Sequence, residues 1–414
     1  MESTNLRFSV LVFFCIYFFI SGADGYIILP TAWYYIESLG FSASFYGAVL
    51  GARSLGFIIF SPISGKFADK TRKVKLILLV CVTVKVIAYL IYAIPTSGYC
   101  PLVGVFLSGA ANAAYCGMYG DVVRYTEKTH RSTFFLVLDS TFAVGASCGP
   151  VFGSFITFKT NILGWNIYDG NSPGIILAVA WFLALCVLMF IPSDSGTAEI
   201  SNEFSLIGTD NGQSNRTLNS TLCCVFHLLF SNNLISVTCS GILLLLSMEL
   251  FHLKLIHVKL VFVVGMLFVL LAYVVTYIAT THFNERSILV LLMILQIPSI
   301  ICLFIYAFVW TNVLFSLSYT LVIFACFGMP QVCFAVSGAL LSKITPIQHA
   351  STVQSFLIVD VIISDLVGRG LSGFVFCQTR LITFSVVLLL QWFVSFAWFS
   401  FVFHRLPVTG GTYE

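Results

Sequence analysis

Ionisable side chains inside long apolar runs are the places where this sequence could do chemistry, because a charge at membrane depth is costly unless it is paired or hydrated. Asp24 falls in the run 8–28 and Arg53 in the run 46–62. As helices rising about 1.5 Å per residue, these runs bring the two to comparable depths. Such a pair can hold a cation or proton at the acid or an anion at the base; an inert buried pair is the competing reading. In the run 353–376, Asp365 and Arg369 stand four residues apart with the acid first, the order that favours a pair along one helix. Asp360 lies outside that pairing and is a candidate for proton or substrate contact. Glu249 closes the run 234–253, with His252 and His257 nearby. A histidine there would sense acidity in a lumen, although surface histidines without function are commoner. Asp139 is expected to pair with a base near the membrane edge, and Lys85 to snorkel toward an interface. Asp121 and Arg124 are spaced to meet on one helix face, as a gate pair or as an ordinary surface pair. No zinc-protease pair, nucleophile elbow, phosphate loop or dinucleotide fingerprint occurs, so no enzyme, cofactor or metal is expected.

The elements that must position these residues follow from composition. Of 414 residues, 59% are hydrophobic and 9% charged, too few charges to wrap a globule of this size in water. Lipid is the implied partner surface. Counting apolar runs of about 20 residues between polar breaks predicts an all-α membrane protein with twelve transmembrane helices, from 8–28 to 381–403. The runs are continuous rather than alternating, which excludes a transmembrane barrel. They divide into an N-terminal six-helix half (1–192), a polar cytoplasmic linker (193–222) and a C-terminal six-helix half (223–414). The linker carries glycosylation sequons at Asn215 and Asn219, which short Asn- and Thr-rich loops also produce by chance. Placing the N-terminus inside puts most Lys and Arg on the cytoplasmic side, with both termini cytosolic; Lys254 and Lys259 are the misfits. The first run also fits a signal-peptide core ending at Ser21-Gly22-Ala23, but apolar residues resume after Asp24, which favours a retained span. A net charge of +3 with no basic tail excludes nucleic acid as a partner, and the thirteen cysteines show no paired or metal-ligand spacing.

Two motifs sit on this plan. Between the second and third runs stands Gly65-Lys66-Phe67-Ala68-Asp69-Lys70-Thr71-Arg72-Lys73. Gly65 permits a tight helix exit, and Asp69 can cap a neighbouring helix or pair with a base. Anchoring by positive charge accounts for the bases alone, not for the Gly and the Asp. The fifth run carries Gly145-Ala146-Ser147-Cys148-Gly149-Pro150-Val151-Phe152-Gly153. Small residues there allow close helix contact and Pro150 favours a kink or pivot, with plain helix packing as the simpler account. Together with the six-plus-six plan, these motifs resemble the major facilitator superfamily. The loop resembles its cytoplasmic signature, with Arg72 where a second Gly is usual, and the fifth-run motif resembles one often associated with antiporters. Segments 56–73, 124–153, 284–289 and 328–373 resemble the lysosomal ceroid-lipofuscinosis-type branch.

The resemblance implies the major facilitator fold, two pseudo-symmetric halves, and transport by alternating access around a midplane site. It implies a cytoplasmic gate at Gly65, Asp69, Lys70, Arg72, Asp121 and Arg124, and a hinge at Gly145, Gly149, Pro150 and Gly153. The substrate-binding or coupling residues are expected among Asp24, Arg53, Glu249, Asp360, Asp365 and Arg369. The base usual in the fourth span is missing from 102–111, which counts against proton antiport. Arg53 and Arg369 tilt the expected small-molecule substrate toward an organic or inorganic anion. An anion channel on the same scaffold and a non-transporting membrane sensor are the rivals. The branch implies an endolysosomal membrane, with the plasma membrane as the alternative; the oligomeric state is not legible.

Overall fold

The computed structural model describes residues 6–155, 158–162, 165–168, 170–196, 213–245, 255–309, 332–375 and 378–406. Within these, the apolar runs are helical, since in lipid the backbone must bond within its own segment. The order is α1 (Phe8–Ile27), α2 (Leu29–Ser38), α3 (Ala43–Thr71), α4 (Val74–Ala93), α5 (Tyr99–Ala111), α6 (Ala114–Tyr125) and α7 (Arg131–Phe155). A short antiparallel hairpin follows, β1 (Thr160–Ile162) against β2 (Trp165–Ile167) with Asn161 opposite Asn166. Then come α8 (Ser172–Phe190), α9 (Gln213–Leu245), α10 (Leu255–His282), α11 (Glu285–Val309), α12 (Val332–Ile344), α13 (Ala350–Val375) and α14 (Gln378–Val402).

Each of the twelve expected runs overlaps a described helix. Taking α5 and α6 together as one span, eight described helical segments are long and apolar enough to cross a membrane, and three shorter ones are apolar. The fourth run is two helices, α5 and α6, broken at Asn112 and Ala113. Helix α9 begins at Gln213, so the end of the polar linker, with Asn215 and Asn219, is helical.

Two compact units emerge. Unit 1 comprises Met1–Glu127, Val137–Ser201 and Ile347–Val359; unit 2 comprises Lys128–Leu136, Asn202–Pro346 and Asp360–Glu414. Helices α7 and α13 therefore each start in one unit and continue in the other.

Unit 1 is filled by an aromatic layer in which Tyr17 meets Tyr115 and Trp181 edge-on, and Phe18 meets Tyr115 and Tyr119. Tyr17 donates its hydroxyl to the Ala111 carbonyl (3.2 Å) and Ser21 bonds Asn112 (3.1 Å), which ties α1 to the α5–α6 break. Helix α1 crosses α7 at near backbone contact. A Cβ on Gly149 would stand 2.7 Å from the Tyr26 Cβ and 2.9 Å from the Ala23 carbonyl oxygen, and one on Gly145 would strike the Phe19 carbonyl. In unit 2 the tie points are polar: Gln296 donates to the Asn232 carbonyl (3.0 Å), Asn233 to Ser364 (2.6 Å), and the Trp392 indole to the Met293 carbonyl (3.0 Å).

Candidate functional site

The Asp24 and Arg53 expected to pair do so, on α1 and α3, but not alone. Asp24 is fully buried, and Lys85 from α4, itself fully buried, donates to its second carboxylate oxygen at 2.6 Å. The snorkelling expected of Lys85 is thus corrected. Eight residues of α4 follow it, about 12 Å of helix, which is farther than a lysine side chain reaches. That depth was the sequence signal for a buried partner. Lys85 also donates to the Ser108 hydroxyl of α5 (3.3 Å), which meets the Tyr89 hydroxyl (2.8 Å). Its ammonium lies 5.0 Å from the Trp181 ring centroid on α8, within cation–π range.

Counted formally, two bases meet one acid here, leaving one positive charge in surplus. Arg53 is the member that reaches outward: its side chain is 25% exposed, whereas Asp24 and Lys85 are at 0%. The guanidinium lies flat on Gly25, where a Cβ would come within 3.3 Å of Nη1. A Cβ there would press the guanidinium aside by a few tenths of an ångström, so glycine gives Arg53 the closest seat against α1.

The loop motif assembles a second group in unit 1. The Asp69 carboxylate accepts from the backbone amides of Ser351 (2.9 Å) and Thr352 (2.8 Å) and from the Thr352 hydroxyl (2.6 Å), all in the first turn of α13. It also pairs with Arg124. The expected capping and pairing roles of Asp69 are therefore filled together, where an anion is favoured by unbonded amides and the helix dipole. Arg124 reaches Asp121 at 3.0 Å and the Ser351 hydroxyl at 2.8 Å, and Ser195 donates to Asp121. Gly65 makes room for the arrangement, since a Cβ there would sit 2.8 Å from the Ser351 carbonyl oxygen. Arg72 ends α3 at φ 57°, a left-handed turn that glycine adopts without strain. Lys70 is exposed and stands apart from this group.

Unit 2 contains a related group that sequence reasoning missed. Glu285, opening α11, pairs with Lys343 at the end of α12 and accepts from the Ser132 hydroxyl at 3.1 Å. Arg131 donates to the Ser342 carbonyl at 2.6 Å. Lys128, just before, has its ammonium pushed below the ordinary lysine range by partial burial and by neighbouring Arg131. The signal was a repeat: Ser132-Thr133 and Ser351-Thr352 open α7 and α13 alike, and each is held by an acid at a helix end, Glu285 at the start of α11 and Asp69 at the end of α3.

The remaining expected residues scatter. Asp365 and Arg369 pair at 2.9 Å as anticipated, on an exposed face where the Arg369 side chain is 67% accessible. Asp360 is half-buried, with Oδ2 buried and without a hydrogen-bond partner among the described residues. Asp139 accepts from the Tyr119 hydroxyl instead of meeting the base expected of it, and it lies about two turns from the start of α7 at Arg131. Gly145 and Gly149 provide the α1–α7 contact, and Pro150 and Gly153 lie within α7. Glu249 and His252 lie outside the described residues.

Comparison with known proteins now has a geometry to explain. Residues 14–359 match the model of the Major Facilitator Superfamily. The chain is 27% identical over 189 residues to an SPX domain-containing membrane protein of Arabidopsis thaliana, covering 44% of this chain and 26% of that protein. It is 25% identical over 177 residues to the class H tetracycline resistance protein of Pasteurella multocida, 42% of each. The chain thus spans about a quarter of the length of the SPX relatives it matches. Among solved structures, the human organic anion transporter MFSD10 superposes with a TM-score of 0.69 at 15% identity, over 94% of this chain and 99% of that one. The transporter FucP in its outward conformation gives 0.70 at 15% identity, over 94% and 98%. An outward-facing bacterial homologue of the iron transporter ferroportin gives 0.70 at 13%, over 97% and 100%. At these identities the superpositions establish the shared fold.

Proposed function

The chain belongs to the major facilitator superfamily of membrane transporters, and we propose that the solute it carries is a small anion, organic or inorganic, moved by alternating access. The observation that carries this reading is the charge balance at Asp24. Two buried or half-buried bases share one carboxylate, and the surplus positive charge ends on the partly accessible Arg53. An anion landing on Arg53 meets a planar donor fork already oriented by Asp24, so little side-chain entropy is lost on binding. Lys85 is a positioning residue that holds Asp24 from the far side. That MFSD10 is an organic anion transporter supports the same cargo class.

In this reading, the Asp69–Arg124–α13 group faces the cytosol and holds one access state, with Gly65 and Asp121 as its support. Release of the Ser351 and Thr352 amides accompanies the change to the other state. Gly145 and Gly149 give α7 a smooth contact on which to move against α1. Asp360 is a further candidate for cargo contact. An endolysosomal membrane is the proposed location, with the plasma membrane second.

The test is counterflow in proteoliposomes with radiolabelled sulfate, phosphate, and a panel of mono- and dicarboxylates. A carrier of anions accumulates label transiently against an unlabelled internal pool of the same anion, and Arg53→Ala abolishes it. Label flux without counterflow would establish a channel instead. Absence of flux and of thermal stabilisation across the whole panel would remove the anion reading.

A further inference from the structure

Helix α8 ends at Phe190, and the chain that leaves it is fastened to unit 1 along residues 191–196. Lys75, near the start of α4, donates its ammonium to the Ile191 carbonyl at 2.5 Å and to the Met189 carbonyl at 3.4 Å, where the unbonded carbonyls of a helix end favour a cation. The Arg7 amide, just before α1, donates to the Ser195 carbonyl at 2.9 Å, and Leu6 pairs with Gly196 in an isolated antiparallel bridge. Gly196 lies against the ring of Tyr125, the last residue of α6. A Cβ there would stand 2.2 Å from Cδ1 and 2.6 Å from Cγ of that ring, so a side chain would lift the segment away. The Ser195 hydroxyl donates to Oδ2 of Asp121.

That last bond reaches the latch. Asp121 gives Oδ1 to Nη1 of Arg124 at 3.0 Å, and the same guanidinium turns Nη2 to Asp69 and to the Ser351 hydroxyl at 2.8 Å. The terminal torsion of an aspartate is soft. A carboxylate held at one oxygen can swing about it, whereas one held at both has a fixed plane, and a fixed plane orients the guanidinium fork bonded to it. We propose that residues 191–196 are a clasp through which the linker sets the strength of the Asp69–Arg124–α13 latch, with Ser195 as the positioning residue that holds Asp121 and, through it, Arg124. Fastened, the clasp keeps Nη2 of Arg124 on Asp69 while that carboxylate caps α13. Drawn off Tyr125 by the linker, it takes the Ser195 hydroxyl from Asp121 and leaves the guanidinium free to turn from Asp69. The clasp rests on the reading of the Asp69 group as a latch and not on the identity of the cargo.

The experiment is amide hydrogen exchange on the full chain in lipid, with no cargo added, which keeps it separate from the transport assay. Ser195→Ala is expected to speed exchange at Ser351 and Thr352 about fivefold, the effect of about one net hydrogen bond, and to leave the middle of α4 unchanged. Ser195→Thr keeps a hydroxyl at the position and restores the wild-type rate, which a mere loss of packing would not allow. Gly196→Ala keeps Ser195 but lifts the segment from Tyr125, so exchange at the Arg7 amide accelerates together with Ser351 and Thr352; this variant carries the test should Ser195→Ala fail to fold. Asp69→Ala, measured alongside, separates the two levels. If it accelerates Ser351 and Thr352 while Ser195→Ala does not, or while Ser195→Thr fails to restore the rate, the clasp is overturned and the latch stands. If Asp69→Ala leaves those amides unchanged, latch and clasp fall together.

Discussion

Around Asp24 two bases meet one acid, and around Arg124 two acids meet one base. Both groups lie in unit 1 and join an aspartate to an arginine, yet they dispose of their surplus charge in opposite ways. The surplus negative charge at Asp69 is absorbed by the chain itself, through two backbone amides and a hydroxyl at the start of α13. The surplus positive charge at Arg53 meets no backbone group among the described residues and sits on the side chain that is partly accessible. In the proposed reading, the charge satisfied by the fold is the latch and the charge left accessible is the binding site. Unit 2 offers an intermediate case: Glu285 is balanced by Lys343 and, among the described residues, accepts from a hydroxyl rather than an amide of α7.

The comparison can be broken most directly at Asp24. Asp24→Asn leaves two buried bases facing each other, and removing one partner of a buried ion pair costs about 3–5 kcal/mol. A large fall in thermal unfolding temperature in detergent is expected. An unchanged melt would mean that the triad is not ionised as drawn.

Asp69→Ala frees two amides, a hydroxyl and Arg124 together. Hydrogen bonds to a charged group are worth about 1.5–3 kcal/mol each, and water replaces part of them, so a net loss of about 2–3 kcal/mol is expected. Amide exchange at Ser351 and Thr352 should accelerate while exchange in α4 does not; equal acceleration in both would deny the local latch.

Lys85→Met keeps the Asp24–Arg53 pair and removes only the surplus. Anion binding read by thermal shift with the responding anion should weaken at least tenfold, about 1.4 kcal/mol, with the fold retained. Unaltered affinity would show that the charge balance is not what selects the cargo.

Arg72→Gly is the smallest change, and it goes the other way. Relief of a left-handed backbone at φ 57° should stabilise the α3–α4 turn by about 0.5–1 kcal/mol, measured as a rise in melting temperature. A fall would indicate that the Arg72 side chain contributes more than its backbone strain costs.

The amino-acid sequence by itself determined the class of fold, because the apolar runs leave a lipid-embedded backbone only one way to satisfy its hydrogen bonds. Two motifs, Gly65 to Lys73 and Gly145 to Gly153, sufficed to suggest the family, since tight helix exits and close crossings require small residues wherever they occur. The Asp24–Arg53 pairing was legible from depth alone, as was the Asp365–Arg369 pair from its spacing along one helix. Tertiary structure alone decided which groups share a partner. Lys85 is 61 residues from Asp24, and Ser351 is 282 residues from Asp69. Neither distance along the chain carries a periodic signal, because helical repeats encode which face a residue occupies and not which other helix that face meets. For the same reason Asp139 read as half of an ion pair until its neighbour proved to be the Tyr119 hydroxyl.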